Sequence, residues 1–363
     1  MDLRFDGQVA VVTGAGSGLG KAYAKLLASR GARVVVNDLG GSLRGDGSTS
    51  KTADTVVAEL IAAGGKAVAN YNSVEDGAQI IQTAIRAFGR IDILINNAGI
   101  LRDVSFKNMT DQDWDLVNAV HVRGAYKTTH AAWPYFKKQQ YGRVIMTSSA
   151  AGLYGNFGQC NYSAAKSAMI SFGETLAKEG AKYNILTNII APSCHLLLHY
   201  LSPEWVAPVI AVLVHPSTTE NGSIFEVGAG HVPKLRWERA AGALLKCGES
   251  LTPGAVLAKW DNVQDFSNPA HPTTTADMVK NLRLSQSLPN NPPGEEVRFD
   301  GRVAVVTGGG AGLGRAYSVL LAKLGASVVV NDSINPDTVV NEIRASGGVA
   351  LQHQTASHSA FDT

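Results

Sequence analysis

Tyr162 and Lys166 stand four residues apart in NYSAAK, and Ser149 lies 13 residues ahead of the tyrosine. Positions i and i+4 share one face of a helix, so phenol and ammonium project together. Tyrosine titrates at about 10, so acting as a base near neutrality demands about 3 units, or about 4 kcal/mol. A lysine ammonium at roughly 5.5 Å, the spacing of such helix neighbours, contributes about 3 kcal/mol at an effective dielectric of about 20. The pair is therefore suited to moving a proton on and off a hydroxyl.

A second set of residues suits phosphate. TGAGSGLG, residues 13–20, falls where an apolar run gives way to a helical pattern, with spacing Gly-x3-Gly-x-Gly. Gly14 permits the tight turn, Gly18 lets backbone amides approach a pyrophosphate, and Gly20 allows close helix packing. Glycines alone also describe an ordinary strand-to-helix loop. Asp38 ends the next apolar run, 18 residues downstream. A carboxylate there accepts hydrogen bonds from an adenosine ribose and repels a 2′-phosphate, which favours NAD over NADP.

Elements that carry these residues are legible from their periodicity. QVAVVTG, ARVVVND, AVANYN, IDILINNAG, GRVIMTSS, ILTNIIAP and SIFEVGA are short apolar runs without polar alternation. Such runs mark parallel strands buried on both faces. Between them, KAYAKLLASRG, TADTVVAELIAAGG and MISFGETLAKEG place apolar residues at helical spacing. The expected fold is α/β: a doubly wound, Rossmann-type parallel sheet of seven strands. Tyr162 and Lys166 fall on the helix after the fifth strand, and Ser149 at that strand's end.

Taken together, Gly-x3-Gly-x-Gly, NNAG at 96–99 and Ser149 followed by Tyr-x3-Lys resemble the short-chain dehydrogenase/reductase family. The resemblance implies that Tyr162 takes the hydroxyl proton as hydride leaves for NAD. It also implies that Ser149 holds the substrate oxygen, and that Lys166 lowers the tyrosine pKa with help from the positive nicotinamide while holding the ribose. By position it assigns further cofactor contacts to Ser17, Leu19, Ser73, Val74 and Asn97, and Asn72 stands where the family often has Asp. The family's usual fourth member is an Asn three residues before a Gly. VHVRG puts His121 there, either as a proton relay or as a satisfied helix histidine.

NDLGGSLRGDG, NNAGILRD, VHVRG, LYGNFGQCNYSAAK and FEVGAGHVPKLRWER narrow the resemblance to (3R)-hydroxyacyl-CoA dehydrogenase domains of type 2 peroxisomal multifunctional β-oxidation enzymes. That group implies an acyl-CoA substrate, peroxisomal residence and pairing of dehydrogenase domains, as a homodimer or within one chain. Lys234, Arg236 and Arg239 are candidates for CoA phosphates or for a solvated basic face. In fungal members two dehydrogenase domains stand in tandem. FDGRVAVVTGGGAGLGRAY, 299–317, repeats FDGQVAVVTGAGSGLGKAY, 5–23, at 15 of 19 positions. The expected organisation is a dehydrogenase domain with a C-terminal extension over 1–287, a Pro-rich linker at 288–298, and a truncated second copy over 299–363. Only two strands and a helix or two are expected in that copy, with no counterpart of Ser149, Tyr162 or Lys166.

Composition restricts the alternatives. Hydrophobic residues make up 45% and charged residues 17%, enough for a sizeable core. A net charge of +2 gives no field for nucleic acid or an anionic membrane. No apolar run approaches the roughly 18 residues of a membrane span, and the start shows no secretory pattern, which reads as intracellular. No SKL-type signal ends the sequence. Cys160, Cys194 and Cys247 show no zinc or redox spacing and read as reduced thiols. His195 and His199 sit four apart without an evident third ligand, so no metal site is expected. Between Pro192 and Pro203, SCHLLLHYLS is about half the length implied by the resemblance, which predicts impaired turnover. Two alternatives are a non-catalytic NAD-binding fragment and a dehydrogenase of another secondary alcohol, such as a steroid.

Overall fold

The computed structural model describes residues 3–193, 202–228, 230–274 and 277–354. It divides into two compact units, Met1–Arg236 and Trp237–Thr363.

In the first unit the chain runs β1 (Val9–Thr13), α1 (Gly18–Ser29), β2 (Arg33–Asn37), α2 (Lys51–Ala62), β3 (Lys66–Asn70), α3 (Gly77–Phe88) and β4 (Ile93–Asn96). It continues through α4 (Asp111–Asn118), α5 (Gly124–Gln139), β5 (Gly142–Thr147), α6 (Ala150–Tyr154), α7 (Cys160–Gly180), β6 (Ile185–Pro192), α8 (Ala207–Val214), β7 (Ile224–Val227) and β8 (Lys234–Leu235). The strands form one sheet in the order β3-β2-β1-β4-β5-β6-β7-β8. All seven expected strands are present and pair in parallel; β8, which was not expected, adds an antiparallel edge. Strand order reverses between β1 and β4, opening the crevice where α/β sheets bind ligands.

Alternate residues of each strand face opposite sides of the sheet. Val12, Val34 and Val36 pack with Leu27, Leu60 and Ile210 from α1, α2 and α8. Val11, Val35 and Leu94 pack with Ile80, Phe136 and Met169 from α3, α5 and α7. Strands β1, β2, β4, β5 and β6 are thus buried on both faces, which is why their sequences lack polar alternation. Helix α7 approaches β6 closely because a Cβ on Gly173 would lie 2.7 Å from Ile189 Cγ1.

Within the second unit, α9 (Pro253–Leu257), α10 (Trp260–Val263) and α11 (Asp277–Ser287) precede β9 (Val303–Thr307), α12 (Gly312–Lys323), β10 (Ser327–Asn331), α13 (Pro336–Ala345) and β11 (Val349–His353). Side chains lace the irregular stretch: Ser285 Oγ donates to Leu245 O at 2.6 Å, and Asn291 exchanges bonds with Lys246 N and O at 2.9 Å each. The repeat forms a parallel sheet of order β11-β10-β9, matching β3-β2-β1. It therefore holds three strands where two were expected. VALQH, polar only in its second half, conceals the third, which is specified by its pairing with β10 from Val349 to His353. Val303 and Val305, on β9, are 71% and 67% exposed. Their counterparts in β1, Val9 and Val11, are fully buried against α3, α5 and α7, which have no equivalent among the described residues of the repeat.

Candidate active site

The glycine turn lies between β1 and α1 at the reversal of strand order. Gly14 and Gly18 adopt φ of 62° and 51°, a region that glycine enters without strain. Gly20 packs beneath the turn, where an added Cβ would lie 2.2 Å from Gly14 O. The loop after β4 is lashed to the same turn. Asn97 Nδ2 donates to Thr13 O and Gly14 O at 3.0 and 3.1 Å, while the Asn97 and Ala98 amides donate to Thr13 Oγ1. The Asn97 side chain thus holds two loops together at the cleft wall.

Asp38 follows β2. Its Oδ2 accepts from Gly16 N at 2.8 Å and its Oδ1 from Gly40 N at 2.7 Å. These bonds aim the carboxylate at the glycine turn and leave each oxygen further acceptor capacity. A cleft of about 450 Å³ opens here, lined by Gly14, Ser17, Gly18, Leu19, Asp38, Asn72, Ser73, Val74 and Asn97 among others. Ser73 accepts from Glu75 N and starts the turn that carries buried Val74. The expected cofactor residues other than Tyr162 and Lys166 therefore line this one cleft, except Gly20, which supports it from below.

Ser149, Tyr162, Lys166 and His121 line an adjoining cleft of about 150 Å³. Leu19, Leu43, Asn97, Gly99 and Ile100 belong to both walls. Ser149 caps α6 by accepting from Ala151 N at 3.2 Å. Lys166 is buried on α7, donates to Thr147 O at 2.8 Å, and holds its ammonium 5.5 Å from the Tyr162 ring centre. Ser148 Oγ donates to Lys166 O at 2.7 Å, tying α7 to the end of β5. Tyr162 itself is half-buried, as a group that must meet a ligand requires.

His121 occupies a π-helical turn, Ala119–Arg123, between α4 and α5. Such turns recur at functional sites. A capping box between Thr110 and Asp113 sets the start of α4 and so the phase at which the turn begins. The His121 ring is 3% exposed and meets Tyr162 edge-on, with centres 5.3 Å apart. Burial, and then the Lys166 charge, hold its pKa well below the ordinary histidine value. His121 is neutral at pH 7.

Sequence patterns missed the loop over the cleft. Gly40–Gly47 folds back on itself through Ser42 N to Asp46 O, and Leu101 N donates to Leu43 O. Arg102 fastens this loop by donating to Arg44 O at 2.7 Å and pairing with Asp46 at 3.0 Å. Asn161, beside Tyr162, donates to Arg102 O and Asp113 O, linking the loop to the start of α7. No periodicity signals such a connection; the only cue was glycine density. Lys234, a candidate phosphate contact, is paired with Glu220 at 2.6 Å. Cys160 and Cys247 are free, and no group of three or more metal-ligating side chains occurs among the described residues. Cys194, His195, His199 and most of the short connection lie outside the described residues. No described helix is long and apolar enough to cross a membrane.

Comparison with known proteins agrees with this geometry. The family described as short chain dehydrogenase matches residues 8–196. Peroxisomal hydratase-dehydrogenase-epimerase of Neurospora crassa is 65% identical over 360 residues, covering 96% of this chain; the chain spans 40% of that relative's length. The solved full-length peroxisomal multifunctional enzyme type 2 of Drosophila melanogaster aligns with TM-score 0.68 and 46% identity, over 78% of this chain and 50% of that one. A 7α-hydroxysteroid dehydrogenase solved with NADH and 7-oxo glycochenodeoxycholic acid aligns with TM-score 0.57 and 27% identity, over 64% of this chain and 96% of that one. The crevice at the strand reversal, the serine, tyrosine and lysine beside it and the matched family lead to one conclusion: this chain belongs to the short-chain dehydrogenases, and is similar to the peroxisomal multifunctional enzymes of type 2.

Proposed function

We propose that the chain oxidises (3R)-3-hydroxyacyl-CoA to 3-ketoacyl-CoA with NAD. The observation that carries this reading is the shared wall between the two clefts, which brings Ser149, Tyr162 and Lys166 beside a dinucleotide-sized cleft ending at Asp38. The larger cleft fits NAD in its chemistry. Backbone amides of the glycine turn suit a pyrophosphate, the Asp38 carboxylate suits ribose hydroxyls, and Val74, Ile100 and Leu116 give apolar walls for flat rings.

Bound NAD supplies the hydride acceptor. Ser149 Oγ, with its acceptor side turned to Ala151 N, donates a hydrogen bond to the substrate oxygen. Tyr162 removes the hydroxyl proton as the carbon–hydrogen bond breaks. Lys166 stabilises the Tyr162 phenolate that accepts this proton, leaving a neutral phenol, and holds the ribose, while His121 remains neutral and anchors the Ile100 backbone in the wall common to both clefts.

The acyl-CoA substrate, peroxisomal residence and dimeric pairing of dehydrogenase domains are read from the similar enzymes and belong to this proposal. So does low turnover caused by the short connection between Pro192 and Pro203. We read the chain as one dehydrogenase domain with its extension over 1–287, a linker at 288–298 and the opening of a second copy at 299–363. Limited proteolysis that cuts within 288–298 and leaves 1–287 intact supports that division; first cleavage near 237 opposes it.

The test is NADH absorbance with a panel of (3R)- and (3S)-3-hydroxyacyl-CoA and 7α-hydroxysteroid, the last because of the similar steroid enzyme. Turnover of the (3R) thioester alone is expected. Turnover of the steroid alone would replace the substrate assignment, and binding of NAD without any turnover would leave a non-catalytic fragment.

A further inference from the structure

Behind the reactive groups, two buried polar atoms face one small space. His121 Nδ1 and Thr147 Oγ1 have no hydrogen-bond partner among the described residues, and the two residues are 3% and 5% exposed. Both residues line a chamber of about 10 Å³ whose walls also include Thr13, Asn96 and Lys166. A water needs about 10–15 Å³ and two to four polar partners.

The other polar groups of the wall are engaged elsewhere. Asn96 Nδ2 donates to Thr129 and its Oδ1 accepts from Thr128 at 2.6 Å. Thr13 Oγ1 donates to Ile95 O and accepts two amides. Lys166 Nζ donates to Thr147 O, within the chamber wall. His121 Nδ1 and Thr147 Oγ1 are therefore the pair whose hydrogen-bonding capacity the chamber must meet.

The opposite ring nitrogen decides which way the bond runs. His121 Nε2 lies 3.1 Å from Ile100 N and 2.9 Å from Ile100 O, and can serve only one of them well. An orphaned buried amide is rarer than an under-satisfied carbonyl. Nε2 therefore accepts from Ile100 N–H, which puts the histidine proton on Nδ1. We propose that one ordered water fills the chamber, accepting from His121 Nδ1–H and pairing with the Thr147 hydroxyl. It thereby fixes the histidine tautomer that anchors Ile100. His121 and Thr147 are positioning residues in this scheme: they act on the wall shared by the two clefts, and through the edge contact on the Tyr162 ring.

Only the kinetic consequence rests on the dehydrogenase reading; the water and the tautomer are tested without turnover. Nitrogen-15 NMR of the intact chain labelled at histidine is expected to show one neutral, Nδ1-protonated ring at pH 7, absent from His121→Phe. An Nε2-protonated or doubly protonated His121 would overturn the inference. A crystal structure at water-resolving resolution is expected to show density within hydrogen-bond distance of both atoms; a direct contact between them, or a chamber with no density, would also overturn it. Thr147→Val keeps the side-chain shape and removes the hydroxyl. It should lower kcat about tenfold with KM for NAD changed less than about threefold, and Thr147→Ser should restore kcat. An unchanged kcat in a folded Thr147→Val protein would remove the positioning role.

Discussion

In the proposed reading Asp38 sets the choice of dinucleotide, and Asp38→Ala separates its two contributions. In the native protein the carboxylate is held by Gly16 N and Gly40 N at 2.8 and 2.7 Å, so it cannot swing away from a ligand in the cleft. Bonds from ribose hydroxyls to a charged acceptor contribute about 1.5–3 kcal/mol each when buried. Asp38 is only partly buried, so the low end applies, and losing the carboxylate should cost NAD about 2 kcal/mol, or about 30-fold in Kd. For NADP the effect reverses. A 2′-phosphate carrying about −1.5 charge at about 5 Å from the carboxylate is repelled by about 2.5 kcal/mol at an effective dielectric of about 40. The alanine variant removes that repulsion and frees the Gly16 and Gly40 amides to donate to the phosphate. The ratio of Kd for NADPH to Kd for NADH should therefore fall about 10³-fold. Fluorescence titration with both reduced dinucleotides measures it without any turnover. Tighter binding of NADPH than NADH by the native chain would refute the reasoning, and so would a ratio that moves less than about tenfold in a folded variant.

Tyr162→Phe removes the proposed proton acceptor while keeping the ring against His121, so kcat should fall at least about 10³-fold with NADH affinity within about threefold; stopped-flow assays and the same titration check both. His121 is held neutral below its ordinary value of 6.5, so the unfolded chain takes up a proton there first as pH falls. Its contribution to stability is present above about pH 6.5 and is lost as pH drops through the window between the unfolded and folded values. Urea unfolding at pH 7.5 and 5.5 should show a smaller acid loss in His121→Gln than in the native chain, and equal losses would contradict it. Lengthening the connection between Pro192 and Pro203 toward that of the type 2 enzymes should raise kcat by about 100-fold with little change in NADH affinity; an unchanged rate would mean that its length does not limit turnover.

Much of this site was legible because its residues combine chemistry with fixed spacing. Tyr162 and Lys166 share a face of α7 simply through helical geometry, and Asp38 meets the glycine turn because β1 and β2 are adjacent parallel strands. Strands β1, β2, β4, β5 and β6 were legible because burial on both faces removes polar alternation. Strand β8 has only two residues, one of them charged, and is specified by pairing with β7 instead of by any run of its own. β11 was hidden for a similar reason, its polar half being fixed by β10. The π-helical turn under His121 and the Arg102 fastening of the 40–47 loop depend on contacts distant in sequence, for which periodicity carries no signal.

The central claim is most directly tested by mixing the intact chain with NAD and a medium-chain (3R)-3-hydroxyacyl-CoA and following NADH at equilibrium and in time. Formation of 3-ketoacyl-CoA and NADH in equal amounts is predicted, with none from the (3S) epimer and none above background from Tyr162→Phe. Equal rates from the native and Tyr162→Phe proteins, or oxidation of the (3S) epimer in preference to the (3R), would contradict it.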